Sequence, residues 1–95
     1  MKVYLFADSD HADDYFTARA LQIQLKAHDV IVRFVDRMSA KLTDLDLVTK
    51  YGVVESVALV IVDETGVRAR LTRLVSVQEV KATIQALKGF PTPSA

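Results

Sequence analysis

Apolar positions fall into four short runs and three helical stripes. Val3 to Ala7 is a run of β-branched, aromatic and aliphatic residues that ends in polar sequence, the pattern of a buried first strand. From Ala12 to about Ala27 the spacing turns helical: Arg19, Gln22 and Lys26 form a narrow polar stripe, and Phe16, Ala20, Leu21, Ile23 and Leu25 are expected to be largely buried. Val30 to Val35, broken by Arg33, predicts a second strand at a sheet edge. Ser39 is expected to cap a shorter helix whose Leu42, Leu45 and Val48 face the core and which stops at Gly52. Val57 to Val62 is continuously apolar, as in a strand covered on both faces. Asp63-Glu-Thr-Gly66 predicts a turn, and Val67 to Arg73 alternates as the second arm of a hairpin should. Ser76 and Glu79 make a capping box for a last helix with Val77, Val80, Ile84 and Leu87 on one face and Gly89 as its stop.

The order is therefore β-α-β-α-β-β-α. Helical crossovers make the first two strands parallel and the hairpin adds two antiparallel ones, giving an α/β fold with a four-stranded mixed sheet and helices on both faces. Residues 1–89 form one domain and 90–95 (Phe-Pro-Thr-Pro-Ser-Ala) a flexible tail. Half of the 95 residues are hydrophobic, so the chain has the apolar content to build one core without metals or disulfides. Its longest apolar run is too short to span a bilayer, and its first residues do not have the shape of a secretion signal. Twelve acidic and twelve basic residues cancel, so no global field draws it to nucleic acid or to an anionic membrane. The chain has no cysteine. That excludes thiol redox chemistry, cysteine nucleophiles and thiolate metal sites, and it fits a cytoplasmic protein.

The segment Tyr51-Gly-Val-Val-Glu-Ser-Val-Ala-Leu-Val-Ile-Val-Asp-Glu-Thr-Gly66 resembles the thioredoxin-like superfamily, in which a helix ends in Tyr-Gly-Val, a loop carries a cis-proline, and a hydrophobic strand runs into a Gly turn. Ala18-Arg19-Ala20-Leu21 looks like the helix that follows a glutaredoxin Cys-x-x-Cys. The resemblance spans residues 2–88 and implies the same element order, with the first and third strands central. It places the Cys-x-x-Cys at Ala12 to Tyr15 or, one residue earlier, at His11 to Asp14, and neither nucleophile is there. Ser9 is no substitute, since a hydroxyl is too weak an acid without an adjacent base. Val57 stands where redox members carry the cis-proline that shapes the groove for a partner's extended chain. A cis bond before a non-proline residue costs about 2.5–4 kcal/mol, so a trans Ser56–Val57 peptide is expected. The layout also resembles cysteine-free domains of the KaiB type, which act by binding proteins, although the Thr-Pro they carry before the third strand is missing.

What the resemblance implies is a non-redox, non-enzymatic module with no cofactor that binds a protein partner, a basic peptide or helix, through the rim of the ancestral active site: Asp8, Asp10, His11, Asp13, Asp14, Tyr15, Ser56 and Val57. The densest polar feature lies there. Asp8 to Asp14 packs four carboxylates and an imidazole into seven residues. Its plainest reading is a helix start, with Asp8 or Asp10 as the cap and Asp13 and Asp14 favoured by the helix dipole. The alternative is a divalent-cation site built from Asp8, Asp10, His11 and Asp14, because hard cations prefer clustered oxygen ligands. The loop lacks the Gly and distal Glu of an EF-hand. Asp8-x-Asp10 after a strand resembles the phosphoryl acceptor of haloacid-dehalogenase phosphatases, but Ala12 replaces its Thr and the chain is short for that fold. Phe16 is expected in the core, and His28 at the end of the first helix. Arg33, Arg68, Arg70 and Arg73 either guard a sheet edge or meet an acidic partner. A third possibility is a homo-oligomer built on sheet edges or on the apolar flank of the first helix.

Overall fold

The computed structural model describes residues 1–54, 56–72 and 76–88. Along the chain lie β1 (Lys2–Ala7), α1 (Ala12–Ala27), β2 (Arg33–Asp36), α2 (Leu42–Tyr51), β3 (Ala58–Asp63), β4 (Gly66–Thr72) and α3 (Val77–Leu87). The strands form one sheet in the order β2-β1-β3-β4. β1 runs parallel to β2 and antiparallel to β3, and β3 and β4 form the hairpin. The two apolar strands are central and the two charged ones are edges, as the sequence predicts.

Strand alternation divides the core in two. Val3, Leu5 and Ala7 of β1 and Leu59 and Ile61 of β3 face one side, where Ala18, Leu21 and Leu25 of α1 and Val80 of α3 cover them. Tyr4 and Phe6 face the other side with Val60 and Val62, under Tyr51, Leu47 and Val48 of α2. Helices thus lie on both faces. α2 ends at Gly52, whose left-handed backbone (φ 59°) lets the Gly52 and Val53 N–H groups return to the carbonyls of Thr49 and Val48. Ser76 caps α3 by accepting the Glu79 N–H at 3.1 Å, as predicted. The expected stop at Gly89 and the tail at 90–95 lie outside the described residues. Among the described residues, no helix is long and apolar enough to cross a membrane.

Five local expectations are corrected. In α1, Phe16, Ala20 and Ile23 are exposed, and only Ala18, Leu21 and Leu25 are buried. α1 carries apolar residues on two sides, and it lies on the sheet by Ala18, Leu21 and Leu25, which pack with Leu5 and Leu59, leaving its other apolar side to solvent. In α2, Leu42 and Leu45 are likewise outside, because Leu47, Val48 and Tyr51 define the inner face and Asp44 turns toward Arg33 at 3.7 Å. Lys41 rather than Ser39 is the N-cap position of α2, and Ser39 Oγ accepts the Lys41 N–H. β2 starts at Arg33 rather than Val30, since the Val30 N–H is still engaged by the Leu25 carbonyl at the end of α1. Last, the Ser56–Val57 peptide is cis, correcting the trans geometry expected from residue preference alone. Long-range contacts hold this loop: Val57 is buried in the α1-side core, and Ser56 Oγ accepts the Asp8 N–H at 3.1 Å.

Candidate functional site

Parallel pairing of β1 and β2 brings their C-terminal ends together, and β3 starts at the same end of the sheet because it runs antiparallel to β1. Three loops therefore meet at one rim: Asp8–His11, Asp36–Ser39 and the segment leading to Val57. Their ties are specific. The Ser9 N–H donates to Asp36 Oδ1 at 3.1 Å, the Met38 N–H donates to the same oxygen at 2.9 Å, and the Arg37 N–H donates to the Ala7 carbonyl at 2.9 Å. Partial burial of Asp36 pushes its pKa up, but the Met38 and Ser9 hydrogen bonds and the nearby Arg19 charge outweigh it and hold the carboxyl below the ordinary aspartate value.

Within the acidic loop the side chains have different roles. Asp8 is buried, and its Oδ1 accepts a hydrogen bond from Arg37 Nη1 at 2.8 Å. His11 Nδ1 lies 3.5 Å from Asp8 Oδ2 and 3.9 Å from Asp10 Oδ1. Asp10, His11 and Asp13 are exposed, and Asp14 and Tyr15 are half-buried. Neither Asp8 nor Asp10 caps α1, which corrects the capping expectation: His11 takes the N-cap position without a side-chain cap bond. Asp8 is already engaged by Arg37, and the chain enters the helix through the His11 N–H to Asp8 carbonyl bond at 3.2 Å. Asp13 and Asp14 occupy the first turn, where the dipole favours them.

Ligand atoms of Asp8, Asp10 and His11 lie within 4.8 Å of one another, and Asp14 is not part of that group. These three are the residues that could hold a hard cation, which would compete with the Arg37 guanidinium for Asp8. Tyr15 stacks edge-on against Phe34 at 5.5 Å and so faces β2 rather than the acidic loop. Exposed Met38 and Val54 belong to the loops that form the rim. The basic residues of β4 are engaged within the chain: Arg68 pairs with Asp63 at 2.7 Å, and Arg70 donates to the Tyr51 carbonyl. Arg73 lies outside the described residues.

The sequence reading missed Asp36 and Arg37, which organise the rim. The signal was present: two charged residues directly follow Val35, and parallel pairing must place them beside the end of β1.

A solved structure of thioredoxin 1 from the thermophilic eubacterium Thermosipho africanus TCF52B is similar to this chain, with a TM-score of 0.67 at 19% sequence identity over 93% of this chain and 94% of that one. No protein-family model and no curated protein matches the chain. The fold is thioredoxin-like, on a chain without cysteine.

Proposed function

We propose that this chain is a non-catalytic thioredoxin-like module of the cytoplasm that binds a protein partner through the rim at the start of α1. One observation carries this reading. Asp10, Asp13 and Asp14 stand at the rim with no Lys or Arg within ion-pair distance among the described residues, while Asp8 is turned inward to Arg37. Exposed carboxylates without a Lys or Arg partner at a loop junction select a basic peptide or helix and repel acidic competitors. Exposed Met38 and Val54 add apolar contact, and Ser56 and Val57 form the loop against which Asp8 is braced. A chain with no thiol has no group for disulfide exchange, so no insulin reduction above background is expected.

The test is a pull-down comparing wild type with Asp10→Lys plus Asp13→Lys. Both positions are exposed, so the fold should survive, and the reversed charges should abolish capture of the partner. An unchanged set of bound proteins would remove this rim from consideration. The 4.8 Å grouping of Asp8, Asp10 and His11 favours one rival, a divalent-cation site. Thermal unfolding with millimolar Mg²⁺, Mn²⁺ or Ca²⁺ separates the two, since a cation specific to the folded state raises the midpoint.

A further inference from the structure

α1 has two apolar sides. Its inner side, Ala18, Leu21 and Leu25, is buried in the core. Its outer side is Ala12, Phe16, Ala20, Ile23 and Ala27, at successive steps of four, four, three and four residues, which is one continuous helical face. All five are exposed, Phe16 at 68% and Ile23 at 69%. Ile31, at 71%, prolongs the face beyond the helix and lines a shallow depression with Ile23. A helix apolar on both sides is suited to be covered on both. No charged residue falls on the stripe. Arg19, on one flank, is folded over the Phe34 ring at 3.9 Å and donates to Gln22 at 2.9 Å.

We propose that the occupant of this face is a second copy of the chain, with two α1 helices packed antiparallel as a weak homodimer. The stripe alternates large and small, Phe16, Ala20, Ile23, Ala27, so it is self-complementary in one register. A two-fold axis between the levels of Ala20 and Ile23 sets Phe16 against the partner's Ala27 and Ile23 against the partner's Ala20, each large side chain entering a gap. A parallel pair would oppose Phe16 to Phe16 and leave the alanines facing a void. Antiparallel helices also place opposite dipole ends together. The chain is formally neutral, so two copies meet without net repulsion.

Area sets the strength. Sixteen residues give a helix about 24 Å long. A face of that length offers roughly 400–500 Å² per copy, against about 800 Å² for a standard stable interface. The dimer is therefore concentration-dependent, forming toward millimolar chain. In this register Lys26 shares a flank with the partner's Arg19 and Lys26, so added salt screens a local repulsion and tightens the dimer.

Sedimentation equilibrium from micromolar to millimolar chain tests this. The average mass should rise from the 10.5 kDa monomer toward twice that value, further at higher salt. Phe16→Glu and, separately, Ile23→Glu should each hold the chain monomeric throughout with unchanged circular dichroism, since both positions are outside the core. Orientation is read by a short thiol-to-thiol cross-linker, on a background free of native cysteine. Ala20→Cys residues lie about 4.5 Å apart along the axis and should couple, whereas Ala12→Cys residues lie about 28 Å apart and should not. A wild type that stays monomeric at millimolar concentration, or a dimer that survives both glutamates, overturns the proposal, and equal cross-linking at Ala12→Cys overturns its antiparallel geometry. Rim binding is independent of these outcomes, because neither glutamate alters Asp10 or Asp13.

Discussion

Arg37 Nη1 stands 2.8 Å from Asp8 Oδ1 and fastens the end of β2 to the end of β1. Both side chains are largely buried, at 21% and 11% exposure, so the pair is only partly screened by water. It fixes the rim on which the acidic loop stands, and it turns the Asp8 carboxylate inward while Asp10 and Asp13 stay exposed.

Removing one member should therefore cost more than removing a surface charge. Arg37→Ala leaves a buried carboxylate without its donor and should destabilise the fold by about 1–3 kcal/mol, read from the denaturant midpoint at constant slope. Asp8→Ala plus Arg37→Ala should cost less than the sum of the single changes, because one unpaired group is removed with the other. Additive losses would show that the two side chains act independently.

Asp36 gives the pH dependence. Its carboxyl is held below its ordinary value in the folded chain, because the N–H bonds from Met38 and Ser9 and the Arg19 charge prevail over burial. A depressed folded pKa adds stability that is fully present above the unfolded value, about 3.9, and is lost as pH falls through the lower folded value. The stability advantage of wild type over Asp36→Asn should thus be constant from neutral pH down to about 5 and shrink below it. Denaturant titrations of both proteins across that range check the sign. An advantage that grows with acid would contradict it.

α3 rests on its cap. The Ser76 hydroxyl accepts the Glu79 N–H at 3.1 Å, and Val80, in the next turn, is fully buried against the sheet. Ser76→Ala should cost about 0.5–2 kcal/mol, and Ser76→Asp, which keeps the acceptor, should recover most of it. Chemical denaturation of the three proteins makes the comparison.

The sequence revealed the elements better than it revealed which way each helix faces. β1 and β3 are legible because residues buried on both faces form unbroken apolar runs, and the α3 cap because Ser76 and Glu79 are a local signal. α1 and α2 carry more apolar residues than one face can bury, so periodicity alone does not choose between Phe16–Ile23 and Ala18–Leu25, or between Leu42–Leu45 and Leu47–Tyr51. Fit to the sheet decides. At the rim the exposed aspartates were readable as a cluster, whereas Asp8–Arg37 and Asp36–Ser9 join residues 29 and 27 positions apart and depend on the β1–β2 pairing. The cis Ser56–Val57 peptide runs against local residue preference, which without proline is trans.

The facing of α1 supplies a direct contrast between two positions two residues apart. Leu25 is fully buried among the residues that cover β1, whereas Ile23 is 69% exposed. Leu25→Ala removes packed methyl groups and leaves a cavity, which should cost about 2–5 kcal/mol. Ile23→Ala at micromolar chain, where the monomer dominates, should change stability by no more than about 0.5 kcal/mol. Raising the chain to millimolar separates the variants further: wild type and Leu25→Ala should gain stability with concentration, because dimerisation draws on the folded state, while Ile23→Ala should gain much less. Thermal unfolding at both concentrations measures all three. A large loss for Ile23→Ala in the dilute monomer would mean that α1 is rotated from the facing described, with Ile23 rather than Leu25 against the sheet.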